Sequence, residues 1–85
     1  MPLQINVYGK PGCQLCDEAL ALFDDVSPDF KFELTVHNIL ERQDWFEKYR
    51  YLVPVVIIDG IQRLSLRFDS QELEAALRAS QTFQP

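Results

Sequence analysis

Four consecutive β-branched residues, Val55-Val56-Ile57-Ile58, restrict this chain more than any other stretch. β-Branched side chains favour the pleated backbone, and a run without polar alternation reads as a strand buried on both faces. Such a strand needs a sheet covered on both sides. Asp59-Gly60 follows at once and is a strong two-residue hairpin turn. The return strand is expected from Ile61 to Arg67. Pro54 opens the run, and proline is tolerated at the first position of a strand.

The rest of the chain supplies the cover. Leu3, Ile5, Val7 and Tyr8 read as a short strand bounded by Gly9, Pro11 and Gly12. The period then changes. Leu15, Ala19, Leu22, Phe23 and Val26 recur at helical spacing and predict a helix over Cys13 to Asp25. Ser27-Pro28-Asp29 ends it. Phe30, Phe32, Leu34 and Val36 alternate with Lys31, Glu33 and Thr35, the strand period of two. Trp45, Phe46 and Tyr49 predict a second helix over Glu41 to Tyr51. Asp69 or Ser70 can cap a last helix with Leu73, Ala76 and Leu77 inward.

The element order is β-α-β-α-β-β-α. Strands separated by helices favour parallel crossovers, and the closing hairpin adds an antiparallel edge. The expected class is α/β: a four-stranded mixed sheet with helices on both faces, three layers in all. This order is similar to that of a minimal thioredoxin-like fold. With 85 residues, of which 47% are hydrophobic, the chain makes one small packed domain. The domain is expected over residues 1–80, followed by a frayed tail at 81–85.

Thirteen acidic and eight basic residues give a net charge of −5. That argues against nucleic-acid or anionic-membrane partners, which need a basic surface. The start MPLQINVY lacks the basic and apolar regions of a signal peptide, and no apolar run is long enough to span a bilayer. A cytoplasmic monomer is the expectation.

The chain has two cysteines, Cys13 and Cys16, placed by the pattern between a strand and a helix start. In a reducing compartment a structural disulfide is disfavoured, whereas a catalytic or metal-binding pair is not. Free N–H groups at a helix N-terminus stabilise a thiolate on Cys13, and Lys10 lies three residues upstream. Cys16, one turn on, is placed to resolve a mixed disulfide on Cys13. Asp17 and Glu18 in the same turn oppose thiolate formation. Structural or vestigial thiols are one alternative, and two other readings stay open. Zinc wants four ligands, and two cysteines with one histidine would need carboxylates or a second subunit. A non-enzymatic module, presenting a partner surface or a metal shared between two chains, is the second.

Pro54 has a sharper reading than punctuation. A cis bond between Val53 and Pro54 would present the Val53 backbone beside Cys13 to an extended, cysteine-containing peptide or to glutathione. Tyr8 either lines that groove or ends its strand as packing. His37 reads as a polar strand end. Trp45, Phe46 and Tyr49 read as packing, and Arg42, Lys48 and Arg50 as a solvated helix face.

Tyr8-x-Lys10-Pro11-Gly12-Cys13-x-x-Cys16, with Val53-Pro54 about forty residues later, resembles the glutaredoxins. It is most similar to their small, divergent relatives in the thioredoxin superfamily. The resemblance implies a thiol–disulfide oxidoreductase that reduces protein or glutathione mixed disulfides. It makes Cys13 the nucleophile and Cys16 the resolving thiol. Lys10 matches the basic residue near the glutathione carboxylate, and Val53-Pro54 the Val-Pro dipeptide with a cis bond. Glutathione is then a co-substrate, no cofactor is tightly bound, and the reductant is glutathione or a thioredoxin-reductase-type flavoenzyme. Gln14-Leu15 replaces the usual Pro-Tyr between the cysteines. Ser65-Leu66-Arg67-Phe68-Asp69-Ser70 stands where a Gly-Gly pair and an acidic residue are usual, and Asp69 matches the acidic position.

Overall fold

The computed structural model describes residues 2–82. Strand β1, Leu3–Gly9, leads into helix α1, Gln14–Val26. A 3₁₀ turn over Ser27–Asp29 ends the helix, with Pro28 inside it. Strand β2 is Phe32–Asn38 and helix α2 is Gln43–Tyr49, with a 3₁₀ turn over Ile39–Glu41 between them. Strands β3, Val55–Ile58, and β4, Ile61–Ser65, precede helix α3, Ser70–Thr82. The boundary expected at residue 80 thus falls within α3, and residues 83–85 of the expected tail lie outside the described residues.

The sheet order is β2-β1-β3-β4. β1 and β2 run parallel, Val7 opposite Val36 and Tyr8 opposite His37. β3 runs antiparallel to β1, and β4 to β3. The expected parallel crossover therefore holds only for the first strand pair. The seven residues of α2 span about 10 Å, less than half of a seven-residue strand at about 23 Å. The chain does not return to the far end of the sheet, so β3 enters where β2 leaves.

The predicted second helix, Glu41 to Tyr51, is shorter in the structure. The Asn38 side chain accepts from the Leu40 N–H (2.9 Å) and starts a separate 3₁₀ turn. Arg42 is extended, at φ −139° and ψ 133°, which keeps that turn and α2 apart. The return strand also stops short of Arg67, because Leu66 takes a left-handed backbone at φ +62°. That conformation costs a residue with a Cβ about 1–2 kcal/mol and cannot continue a strand. The turn at Asp59-Gly60 is as expected, with φ of +50° and +84°.

One face of the sheet packs on α1 and α3. Leu3, Ile5, Val7, Val56 and Ile58 meet Ala19, Phe23 and Val26 of α1, and Leu73 and Leu77 of α3. The inward residues expected on the last helix are there, Ala76 partly buried. The other face carries a smaller cluster of Ile39, Tyr49, Val53 and Val55, which Cys16 of α1 joins. Short α2 covers only the active end of that face. Ile57 is half-buried in consequence, and the β3 strand is fully enclosed only at Val55, Val56 and Ile58. The alternating apolar row of β2 is not a buried face either. Leu34 and Val36 are exposed, because β2 is an edge strand beyond the reach of the two helices.

Candidate redox site

The site lies where three chain segments converge at one end of the sheet. Gly9 ends β1, the turn Lys10-Pro11-Gly12 follows, and Cys13 is the N-cap of α1. The Cys13 carbonyl accepts from the Asp17 N–H at 3.2 Å, the first bond of the helix. The Cys16 N–H donates to Cys13 Sγ at 3.2 Å. An N-cap position points orphan N–H groups at the side chain, and charge on that side chain gains from them. Cys13 and Cys16 are paired as a disulfide, their Cα atoms 5.2 Å apart. Cys13 is half-exposed and Cys16 is buried at 6%. A thiol open to solvent beside a covered one is an asymmetric pair.

Gly9 entered the sequence reading only as a strand boundary, and the pair depends on it. A Cβ at Gly9 would stand 3.0 Å from Cys16 Sγ and 3.3 Å from Cys16 Cβ. The bonded sulfur has no room to yield, whereas a reduced Cys16 can turn away. Gly9→Ala is expected to shift the pair toward the dithiol, and to lower the stability of the oxidised protein by about 1–3 kcal/mol and that of the reduced protein by less. Thermal unfolding with and without reductant measures this. Equal losses in both states would show that the contact is unimportant.

The peptide bond between Val53 and Pro54 is cis. Both residues are buried, and Val53 packs in one cluster with Cys16, Cys13 and Tyr8. The carbonyls on either side, of Leu52 and Pro54, accept from the Leu66 N–H at 3.1 and 3.0 Å. Val53 itself makes no backbone hydrogen bond among the described residues. Its N–H and C=O sit between two stapled neighbours, next to the cysteines.

Tyr8 is half-buried in an aromatic group. It stacks on His37 with centroids 4.7 Å apart, and meets Tyr49 at 4.8 Å and the edge of Trp45 at 5.4 Å. His37 Nε2 shares a hydrogen bond with Asn6 Oδ1 at 2.7 Å, which ties the end of β2 to β1. Gln14 is exposed at the first position of α1, and Leu15 is half-buried beside it. Lys10 is exposed and lines a cleft of about 280 Å³ behind Cys16, together with Asp17 and Glu41. Asp69 lines a groove whose walls include neither cysteine. Its Oδ1 accepts from the Glu72 N–H at 2.8 Å and caps α3, on a groove between α1 and α3 that also holds Arg67. Phe68 turns inward to the core, leaving Arg67 exposed. Arg42 is engaged locally. Its guanidinium binds both oxygens of Asp44, at 3.0 and 2.8 Å, and covers the Trp45 ring. That hydrogen bonding holds the Asp44 carboxyl below its usual range.

Among the described residues no three His, Cys, Asp or Glu side chains gather as a metal site would require, and no helix is long and apolar enough to cross a membrane. A four-stranded mixed sheet with a half-exposed cysteine at a helix N-cap, a buried partner one turn on and an adjacent cis-proline defines a thioredoxin-like domain with a thiol redox-type site. The model of the Glutaredoxin-like domain (DUF836) matches residues 4–78, and the chain belongs to that family. It is similar to protein Ne2328 from Nitrosomonas europaea, solved in solution, at 30% identity and TM-score 0.78, covering 91% of this chain and 93% of that one. It is similar to the structural-genomics target XcR50 from X. campestris at 26% identity and TM-score 0.75, over 88% and 96% of the two chains. A protein of unknown function from Staphylococcus aureus, SA0789, shares the fold at 13% identity and TM-score 0.68, over 99% of this chain and 95% of that one.

Proposed function

We propose that this protein is a dithiol–disulfide oxidoreductase acting on protein or glutathione mixed disulfides. The observation that carries the reading is the pairing of Cys13 with Cys16, Cys13 standing at the α1 N-cap with the Cys16 N–H on its sulfur. In the reduced protein the Cys13 thiolate attacks one sulfur of a substrate disulfide. The S–S bond of the substrate breaks, one substrate thiolate leaves and takes up a proton, and a Cys13–substrate disulfide forms. Cys16 loses its proton and attacks Cys13 Sγ. The Cys13–Cys16 disulfide closes and the second substrate thiol leaves. Two electrons and two protons pass to the substrate. Two equivalents of glutathione, or a thioredoxin-reductase-type flavoenzyme, return the pair to the dithiol.

The residues around the pair have supporting roles in this reading. Val53 offers its N–H and C=O to an extended substrate, and Pro54, Tyr8, Gln14 and Leu15 are further substrate contacts in this reading. Lys10 and Asp69 are separate contacts for the carboxylate and amine ends of glutathione. Lys10 lines the cleft behind Cys16 and Asp69 the groove between α1 and α3, so the two act together only on a ligand long enough to reach both. The proposed setting is the cytoplasm, with the protein a monomer.

Equilibration in glutathione buffers of varied ratio tests the reading, with free thiols counted by mass after alkylation. A reversible two-electron transition is expected. A midpoint at about −200 to −230 mV makes glutathione a competent reductant, and one near about −270 mV points to the flavoenzyme. Persistence of two free thiols at every ratio would dispose of the dithiol mechanism.

A further inference from the structure

Leu66 occupies its place at two costs. Its backbone is left-handed, φ +62°, with none of the side-chain hydrogen bonding by which Asn or Asp offsets that conformation. Its apolar side chain is also 44% exposed, so burial does not offset the strain. Glycine would accept the backbone freely. Strain of this kind concentrates where a structure binds or reacts.

The surroundings of Leu66 say what it faces. Its N–H is held by the carbonyls of Leu52 and Pro54, which flank Val53. It shares a small notch with Leu15, the residue just before Cys16, and with Ala19 and Phe68, the charged Glu18 and Arg67 standing at the same notch. Leu52 is itself 37% exposed. Three leucines from three segments thus border the side of the site that carries the Val53 backbone. A substrate strand hydrogen-bonded to Val53 would present alternate side chains to the sheet surface and away from it. A residue beside the substrate cysteine would then lie against Leu66 and Leu15, and its apolar area would leave water along with theirs.

Resting on the oxidoreductase reading above, we infer that Leu66 is a specificity-determining residue. It selects polypeptide disulfides in which the reacting cysteine has an apolar neighbour, over those with a hydrophilic one. The three leucine side chains offer no hydrogen bond to a polar neighbour, whose water they would have to displace without return.

Two octapeptides carrying a mixed disulfide with glutathione test this, one with leucine on both sides of the cysteine and one with serine. The readout is the ratio of the two kcat/KM values, which cancels any effect on the cysteine chemistry common to both. The wild type is expected to favour the leucine peptide about tenfold. Leu66→Gly and Leu66→Asn both accept a left-handed backbone, and both are expected to bring the ratio to about one. The glycine variant should melt no lower than the wild type, since strain is relieved. A ratio unchanged in both variants, or a wild type that shows no preference while reducing both peptides, overturns the inference and leaves the oxidoreductase reading standing. A wild type inert toward both peptides overturns the oxidoreductase reading, and this inference with it.

Discussion

Cys13→Ser is expected to remove disulfide reduction altogether, leaving only the rate of the uncatalysed exchange. A serine hydroxyl is not ionised near neutral pH and cannot displace a thiolate from a disulfide. Cys16→Ser has a different expected outcome. Cys13 still attacks, but nothing inside the protein resolves the product. The Cys13–substrate disulfide accumulates, visible by mass as the protein plus one substrate thiol. The asymmetry follows from exposure, since Cys13 is half-open to solvent while Cys16 lies at 6% under the end of β1. If the two variants behave alike, the division of labour between nucleophile and resolving thiol is wrong. If Cys13→Ser keeps wild-type rates, the site is elsewhere.

Phe23→Ala is expected to cost about 3–5 kcal/mol, because a core phenylalanine leaves both lost transfer energy and a cavity. Phe23 is 1% exposed at the centre of the α1 face, among residues of β1, β3 and α3, with its ring edge-on to Phe32 at 5.7 Å. A domain of this size has about 5–15 kcal/mol in total, so a large share would go. A thermal midpoint lower by about 12 °C or more is expected at about 4–8 °C per kcal/mol. Calorimetry on the oxidised protein measures it. A fall of only a few degrees would mean that the cavity collapses or that α1 is not fixed on the sheet. The consequence reaches the site, because α1 carries Cys16 and holds Cys13 at its cap.

Several parts of this structure were legible in the residues. Val55 to Ile58 announced a central strand, and Asp59-Gly60 its turn, because β-branched runs and left-handed dipeptides are local preferences of the backbone. The cysteine pair stood out for the same reason. Its place between a strand and a helix start follows from a change of hydrophobic period at Gly9 to Gly12, which needs no tertiary knowledge. Asp69 could be named as a cap from its residue type, and it caps α3.

What could not be read depends on local conformations that the residue types do not announce, or on neighbours distant in sequence. The length of α2 is decided by an Asn38 cap and an extended Arg42, where the aromatic spacing of Trp45, Phe46 and Tyr49 suggested a longer helix. The end of β4 is set by Leu66, a residue type with no preference for a left-handed backbone, held there by carbonyls of Leu52 and Pro54. Gly9 carried a signal, a glycine at the last position of a strand, but its need for lacking a Cβ exists only because Cys16 packs against it. Leu34 and Val36 alternate as a buried face would, yet lie exposed, since only the sheet order makes β2 an edge.

The sequence by itself determined the class of the fold, the hairpin, and the spacing that puts two thiols one helical turn apart, all consequences of short-range backbone and side-chain preference. Only the tertiary structure decided which thiol is covered, what stands opposite Val53, and how far α2 reaches over the sheet. The first two depend on contacts closed between segments tens of residues apart, and no local pattern encodes the partner of a residue that the chain must fold to meet; the third turns on the Asn38 cap and the extended backbone of Arg42.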